Sequence, residues 1–175
     1  MNSLAKSIVL IGMMGAGKTS VGQCLERLTG LPLVDTDEIV TARFGISVPE
    51  IFAKFGEEKF RETETEVLRG LSPDRQSVIV TGGGIVLREE NVDLLKLLGI
   101  VVWLDAGEET LFERATRKRN RPLLETKDPR ETFSRLLEAR RALYAKIADI
   151  RIDGAGLTEE EVAKRILQNV SGENG

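Results

Sequence analysis

Eight residues near the start of the chain, Gly12-Met13-Met14-Gly15-Ala16-Gly17-Lys18-Thr19, fit the pattern G-x-x-x-x-G-K-[ST]. In such a loop the glycines leave backbone N–H groups free to wrap an anionic phosphate chain at a helix N-terminus, where the partial positive charge favours it. Lys18 then reaches the β- and γ-phosphates of a nucleotide, and Thr19 offers its hydroxyl to Mg²⁺. The pattern becomes a mechanism only between a strand and a helix. Ser7–Ile11 reads as a buried β-branched strand, and Val21, Leu25 and Leu28 recur at helical spacing until Gly30 closes the segment.

Three further groupings could carry chemistry. Asp35 and Asp37 flank Thr36 where a second strand is expected to end. If extended, their carboxylates point the same way and suit Mg²⁺ or substrate hydroxyls; the alternative is that one of them caps the next helix. Gly82-Gly83-Gly84 follows a β-branched run and leaves main-chain amides open to a ligand, unless it is only a flexible turn. The segment 114–122 holds five cations in a chain of net charge −3, and as a helix end plus loop it could close over a triphosphate or be a solvated face. Arg61 on the middle helix and Arg140 on the long helix join none of these groupings and read as surface residues unless a family comparison lifts them.

The elements that must position these residues alternate. Strands are expected at 7–11, 31–35, 77–80, 100–104 and 150–152. Helices are expected to about Leu28, over 36–44, over 47–71 with a break at Gly56, at 92–98, 108–117 and 130–147, and from the Thr158/Glu161 capping box to about Val170. Residues 118–129 read as a loop and 171–175 as a disordered tail. Five short apolar strands interleaved with helices predict an α/β fold, a parallel sheet covered on both faces. Ligands of such a sheet bind beyond the carboxyl ends of its strands, where the phosphate loop, Asp35-Thr36-Asp37 and the triple glycine all fall.

Composition narrows the chemistry. The 175 residues include no histidine and one cysteine, Cys24. Imidazole acid–base catalysis, Ser–His and Cys–His pairs and disulfides are therefore excluded. The slight negative charge gives no electrostatic case for a nucleic-acid partner, no apolar run is long enough to span a bilayer, and the N-terminus lacks a signal peptide's layout, so a cytoplasmic protein is expected. Phosphoryl transfer can be run on the carboxylates, cations and backbone dipoles that remain. A GTPase switch is a poor alternative. Asp153-Gly154-Ala155-Gly156 fits D-x-x-G but lies far from the phosphate loop, and no N-K-x-D exists.

Taken together, the phosphate loop, Asp35-x-Asp37, Phe60-Arg61-Glu62 with Glu64, the triple glycine, Arg121-Pro122-Leu123-Leu124 and Arg140 with Tyr144 resemble shikimate kinase in order and spacing, over about residues 6–153. The resemblance implies ATP-dependent phosphorylation of the shikimate 3-hydroxyl, with Mg²⁺; a monomer with no nucleic-acid or membrane partner is expected. It implies a three-layer α/β/α fold of the P-loop NTPase, nucleoside-monophosphate-kinase-like type, as one kinase domain over 1–175 with a core at about 6–170. A helical substrate-binding segment is implied at about 36–62 and a lid at about 114–130.

By the same resemblance Gly15, Ala16, Gly17, Lys18, Thr19 and Ser20 hold the ATP phosphates. Thr19 and Asp35 serve the metal, and Asp37 binds the acceptor hydroxyls and accepts a proton. Arg61 and Arg140, with Gly82, Gly83 and Gly84, grip the acceptor carboxylate. Arg121 reaches the transferring phosphate from the lid. Arg114 lies against adenine, with Arg117 as its rival. Lys18, Asp37 and Arg121 form the catalytic set.

Overall fold

The computed structural model describes residues 6–117 and 121–171; residues 172–175 of the expected 171–175 tail, the first five residues and the lid positions 118–120 lie outside them. Five parallel strands form one sheet in the order β2-β3-β1-β4-β5: β1 Ser7–Ile11, β2 Leu33–Asp35, β3 Val78–Val80, β4 Gly99–Asp105 and β5 Ile150–Asp153. The helices are α1 Lys18–Thr29, α2 Thr36–Phe44, α3 Val48–Arg69, α4 Glu89–Leu98, α5 Glu108–Arg117, α6 Pro129–Ile147 and α7 Glu159–Val170.

The period-two alternation of strand side chains makes the three layers. Ile8 and Leu10 of β1 point to one face and pack with Leu25 of α1 and Val162 and Ile166 of α7. Val9 and Ile11 point to the other and join Leu95 of α4, Phe133 and Tyr144 of α6. Central strands buried on both faces cannot show polar alternation, which is why they read in the sequence as continuous apolar runs. A smaller cluster, Val40, Ile51, Phe60 and Val67, ties α2 to α3 away from the sheet and gives the expected acceptor segment its own apolar support.

Element types are as expected, and the differences lie at the ends. β2 starts at Leu33 instead of Leu31, because Pro32 has no N–H to give; its carbonyl still accepts from Val78 N at 2.9 Å. β3 starts at Val78, since Ser77 N donates to the Ser7 side chain (3.0 Å) instead of a strand partner. α4 begins at Glu89, three residues before the expected Val92, where Glu89 and Glu90 favour the positive helix end. α6 begins at Pro129 behind Asp128, whose carboxylate accepts from Glu131 N at 2.9 Å. A 3-10 turn at Pro122–Leu124 interrupts the expected loop, and another at Ile85–Leu87 follows the triple glycine.

Gly56 breaks α3 as expected. Its φ of 82° and ψ of 164° are open in practice only to glycine, so one helix becomes two arms. No described helix is long and apolar enough to cross a membrane.

Candidate active site

The carboxyl ends of β1, β2, β3 and β4 converge on two adjoining cavities. The larger, about 440 Å³, is bounded by the phosphate loop, Asp35 and Asp37, the start of the triple glycine, and Arg114, Arg117 and Arg121. The smaller, about 120 Å³, is bounded by Arg61, Glu64, Gly84, Arg140 and the apolar Phe52 and Phe60. Met14, Asp37, Gly82, Gly83 and Arg121 line both. Every site residue expected from the sequence therefore falls on one cavity or the other, and Asp37 and Arg121 stand at the junction.

The phosphate loop leads into α1 with Gly17 as cap and no side chain bonded to the first helical amides, so those N–H groups face the larger cavity without an internal competitor. Lys18 folds back along the loop, its ammonium donating to the carbonyls of Gly12 (2.7 Å) and Met13 (3.0 Å). Burial lowers its pKa to about 7, and Arg121 presses the same way while Asp37 and Asp35 pull back. Thr19 and Ser20 are exposed beside it.

Asp35 and Asp37 do not form the extended pair expected from their spacing. Asp35 is extended, but Asp37 already lies in the first turn of α2, so strand periodicity does not align them. The capping alternative holds for Asp35: its Oδ1 accepts from Asp37 N (2.9 Å) and Glu38 N (3.4 Å). Both residues still reach the larger cavity, brought there by the helix turn. Asp37 is the more perturbed. Burial raises its pKa, Asp35 adds to the rise, and Lys18, Arg61 and Arg121 oppose it. Its Oδ1 has no hydrogen-bond partner among the described residues.

Each glycine of the triplet lies under a different charged group. A Cβ on Gly82 would sit 2.9 Å from Asp37 Oδ1 and 3.0 Å from Glu64 Oε1; on Gly83, 3.4 Å from Arg140 Nη1; on Gly84, 2.5 Å from the Arg61 guanidinium carbon. The triplet is thus a floor on which four charged side chains rest, and the flexible-turn alternative falls away.

The two arginines differ in their partners. Arg61 is 7% exposed and held by two carboxylates: Nη1 donates to Glu64 Oε2 (2.8 Å), while Nε (3.3 Å) and Nη2 (3.0 Å) share Glu57 Oε1. Burial works against its charge, but Glu64 and Glu57 outweigh that and raise its pKa. Arg140 is 2% exposed, and among the described residues no carboxylate pairs with it; Nη1 lies only 4.0 Å from Met13 Sδ. Burial lowers its pKa. A buried guanidinium without an anion is costly and suits an anionic ligand.

Two residues quoted in the sequence motif gain a structural part. Glu64, fully buried, has burial push its pKa to about 7, and its Oε1 has no partner among the described residues. Tyr144 donates to Gly83 O at 2.5 Å. The sequence singled out both only within the family motif; their spacing, three residues from Arg61 and four from Arg140, places each on its arginine's helix face. Arg114 and Arg117 both line the larger cavity, one helical turn apart, so geometry does not separate them. Arg121 Nε finds no acceptor among the described residues, and burial lowers the Arg121 pKa while Asp37 raises it.

A family model described as shikimate kinase matches residues 14–171. A shikimate kinase from Thermodesulfovibrio yellowstonii is 47% identical over 163 residues, an alignment that takes in 93% of this chain and 94% of the relative. Among solved structures, the shikimate kinase of Acinetobacter baumannii in complex with shikimate superposes with a TM-score of 0.92 at 37% identity, covering 97% of this chain and 94% of that one. The shikimate kinase of Aquifex aeolicus superposes with a TM-score of 0.83 at 42% identity, covering 95% and 97%.

Proposed function

The chain belongs to the shikimate kinase family, and on that premise we propose how its residues divide the work. The reaction is ATP-dependent phosphorylation of the shikimate 3-hydroxyl, giving shikimate 3-phosphate and ADP, a step in aromatic amino-acid biosynthesis.

ATP occupies the larger cavity, its phosphates on the amides of Gly15–Ser20. Lys18 leaves the Gly12 and Met13 carbonyls for the β- and γ-phosphate oxygens, which restores the full positive charge that burial weakens. Arg114, with Arg117 one turn on, lies on the adenine side, and the segment 114–130 closes as a lid that keeps water from the γ-phosphate. Shikimate occupies the smaller cavity, its carboxylate on Arg140 and Arg61 and its ring over Gly82–Gly84.

At the junction Asp37 takes the proton of the 3-hydroxyl as the oxygen bonds to the γ-phosphorus and the bond from phosphorus to the ADP oxygen breaks. Arg121 lies against the transferring group and neutralises charge that builds there. The observation that carries this reading is that Asp37 and Arg121 line both cavities, so base, phosphoryl group and counter-charge share one wall.

Magnesium fits the donor set. Thr19 and Asp35 offer hard oxygens on the larger cavity, and capping of α2 occupies only Oδ1 of Asp35. Bound there, the ion supplies charge neutralisation on the phosphates. A monomer acting in the cytoplasm completes the proposal: one chain lines both cavities, and the lone Cys24 is a buried free thiol that suits a reducing compartment.

The test is coupled ADP release over a panel of hydroxy-acid acceptors. Turnover that requires shikimate is expected; turnover with gluconate or AMP but not with shikimate would overturn it.

A further inference from the structure

Arg61 is the one acceptor-site cation whose fork is already filled by carboxylates of its own helix. Glu64 is fully buried, and withdrawing it from Arg61 would strand a charge without solvent. Glu57 differs in every respect. Its side chain is 45% exposed, its Oε1 spans the Nε and Nη2 donors of Arg61, and it lies directly after Gly56, where α3 is broken. That Nε/Nη2 edge is the planar pair of donors that receives a carboxylate side-on. Only the Glu57 half of this pair is solvent-exposed: water can take over the released carboxylate, while the buried Arg61 keeps Glu64 and needs an anion in Glu57's place. Arg140, across the same cavity, has no such occupant among the described residues.

We propose that Glu57 is a stand-in for the acceptor carboxylate, holding Arg61 in the free enzyme and swinging into solvent when the acceptor binds, so that its departure sets the acceptor's KM. The inference rests on the assignment of Arg61 to the shikimate carboxylate. It adds a residue outside the cavity that tunes affinity without touching substrate. The stand-in keeps a buried guanidinium paired while the site is free, and binding becomes an exchange of one carboxylate for another. Glu64 stays in place throughout and fixes the guanidinium plane over Gly84.

The experiment compares wild type with Glu57→Gln and Glu57→Ala, both at an exposed position, in the parent and in an Arg61→Ala background. Shikimate KM is read by steady-state kinetics, and shikimate binding by calorimetry. In the parent, KM and Kd should fall about two- to fivefold, a modest change because the competing carboxylate is itself half-exposed and Arg61 keeps Glu64, with ATP KM as internal reference. In the Arg61→Ala background the fall should vanish. An unchanged or raised KM in the parent overturns the stand-in. So does a fall that persists without Arg61, since that would be a diffuse charge effect. Should Arg61→Ala itself leave shikimate KM unmoved, the carboxylate assignment fails instead. If it raises KM while the Glu57 variants do nothing, only the stand-in fails.

Discussion

The phenol of Tyr144 donates to the carbonyl oxygen of Gly83 at 2.5 Å. This bond fastens α6, which also carries Arg140, to the middle of the glycine floor. Burial pushes the Tyr144 pKa to about 12, against the pull of Arg140, so the phenol stays a donor throughout the working range. Tyr144→Phe should leave Gly83 O without that donor and loosen the floor under Arg140. The expected cost is about 1 kcal/mol, or roughly 2–4 °C in Tm, together with a raised shikimate KM. Calorimetry and steady-state kinetics check it; an unchanged shikimate KM would show that the floor does not depend on the bond.

Arg121 and Arg140 should separate kinetically. Arg121→Ala should lower kcat by about 10²- to 10⁴-fold, because it removes charge stabilisation at the transferring group. Arg140→Ala should act through shikimate KM, by roughly tenfold or more for a lost charged hydrogen bond, and leave ATP binding nearly intact. Collapse of ATP affinity in Arg140→Ala would refute the carboxylate assignment, and an unaltered kcat in Arg121→Ala would refute the electrostatic account.

Lys18 gives a proton signature. Its pKa is lowered to about 7 by burial, with Arg121 adding to the effect, so above that pH the free site loses the proton that bound phosphates favour. ATP binding near pH 8 should therefore take up close to one proton, and ATP affinity should weaken as pH rises past about 7. Calorimetry in two buffers of different ionisation enthalpy measures the uptake. Lys18→Met should abolish it; an uptake that survives the substitution assigns the proton elsewhere.

Glu64 links pH to stability. Its folded pKa, raised by burial to about 7, stands above its ordinary value of 4.5. Between those values the folded chain binds the extra proton. The contribution is fully present below about pH 4.5 and is lost as pH rises through about 7. Asp37, also raised chiefly by burial, acts in the same direction. Urea unfolding between about pH 5 and pH 7, below the range in which the lowered Lys18 pKa acts in the opposite sense, should show wild-type stability falling by an amount on the order of 1 kcal/mol. Glu64→Gln should flatten that slope. An equally steep slope in the variant would place the titration in another group.

Much of this site is local in origin and so was open to reading. The phosphate loop is a contiguous segment whose glycines, lysine and threonine act through one strand-loop-helix turn, and Gly56 breaks its helix through its own backbone freedom. Helix interiors follow from apolar spacing of 3.6. Helix and strand ends were missed where a side chain or a missing donor decided them, as with Ser7 at the start of β3 and Pro32 before β2.

Residue type and short-range spacing suffice to specify a nucleotide-binding α/β chain that, without imidazole, must work with cations and carboxylates. Which charged groups meet was settled by the fold. Asp37 reached the site by a helix turn and not by strand alternation, Arg61 acquired Glu57 and Glu64, and Arg140 was buried with no carboxylate paired to it among the described residues. Gly82, Gly83 and Gly84 became a floor because α2 and α3, together with α6 far from them in the chain, send charged side chains onto it. Such meetings depend on packing over long sequence separations, and burial then fixes what each charge is worth.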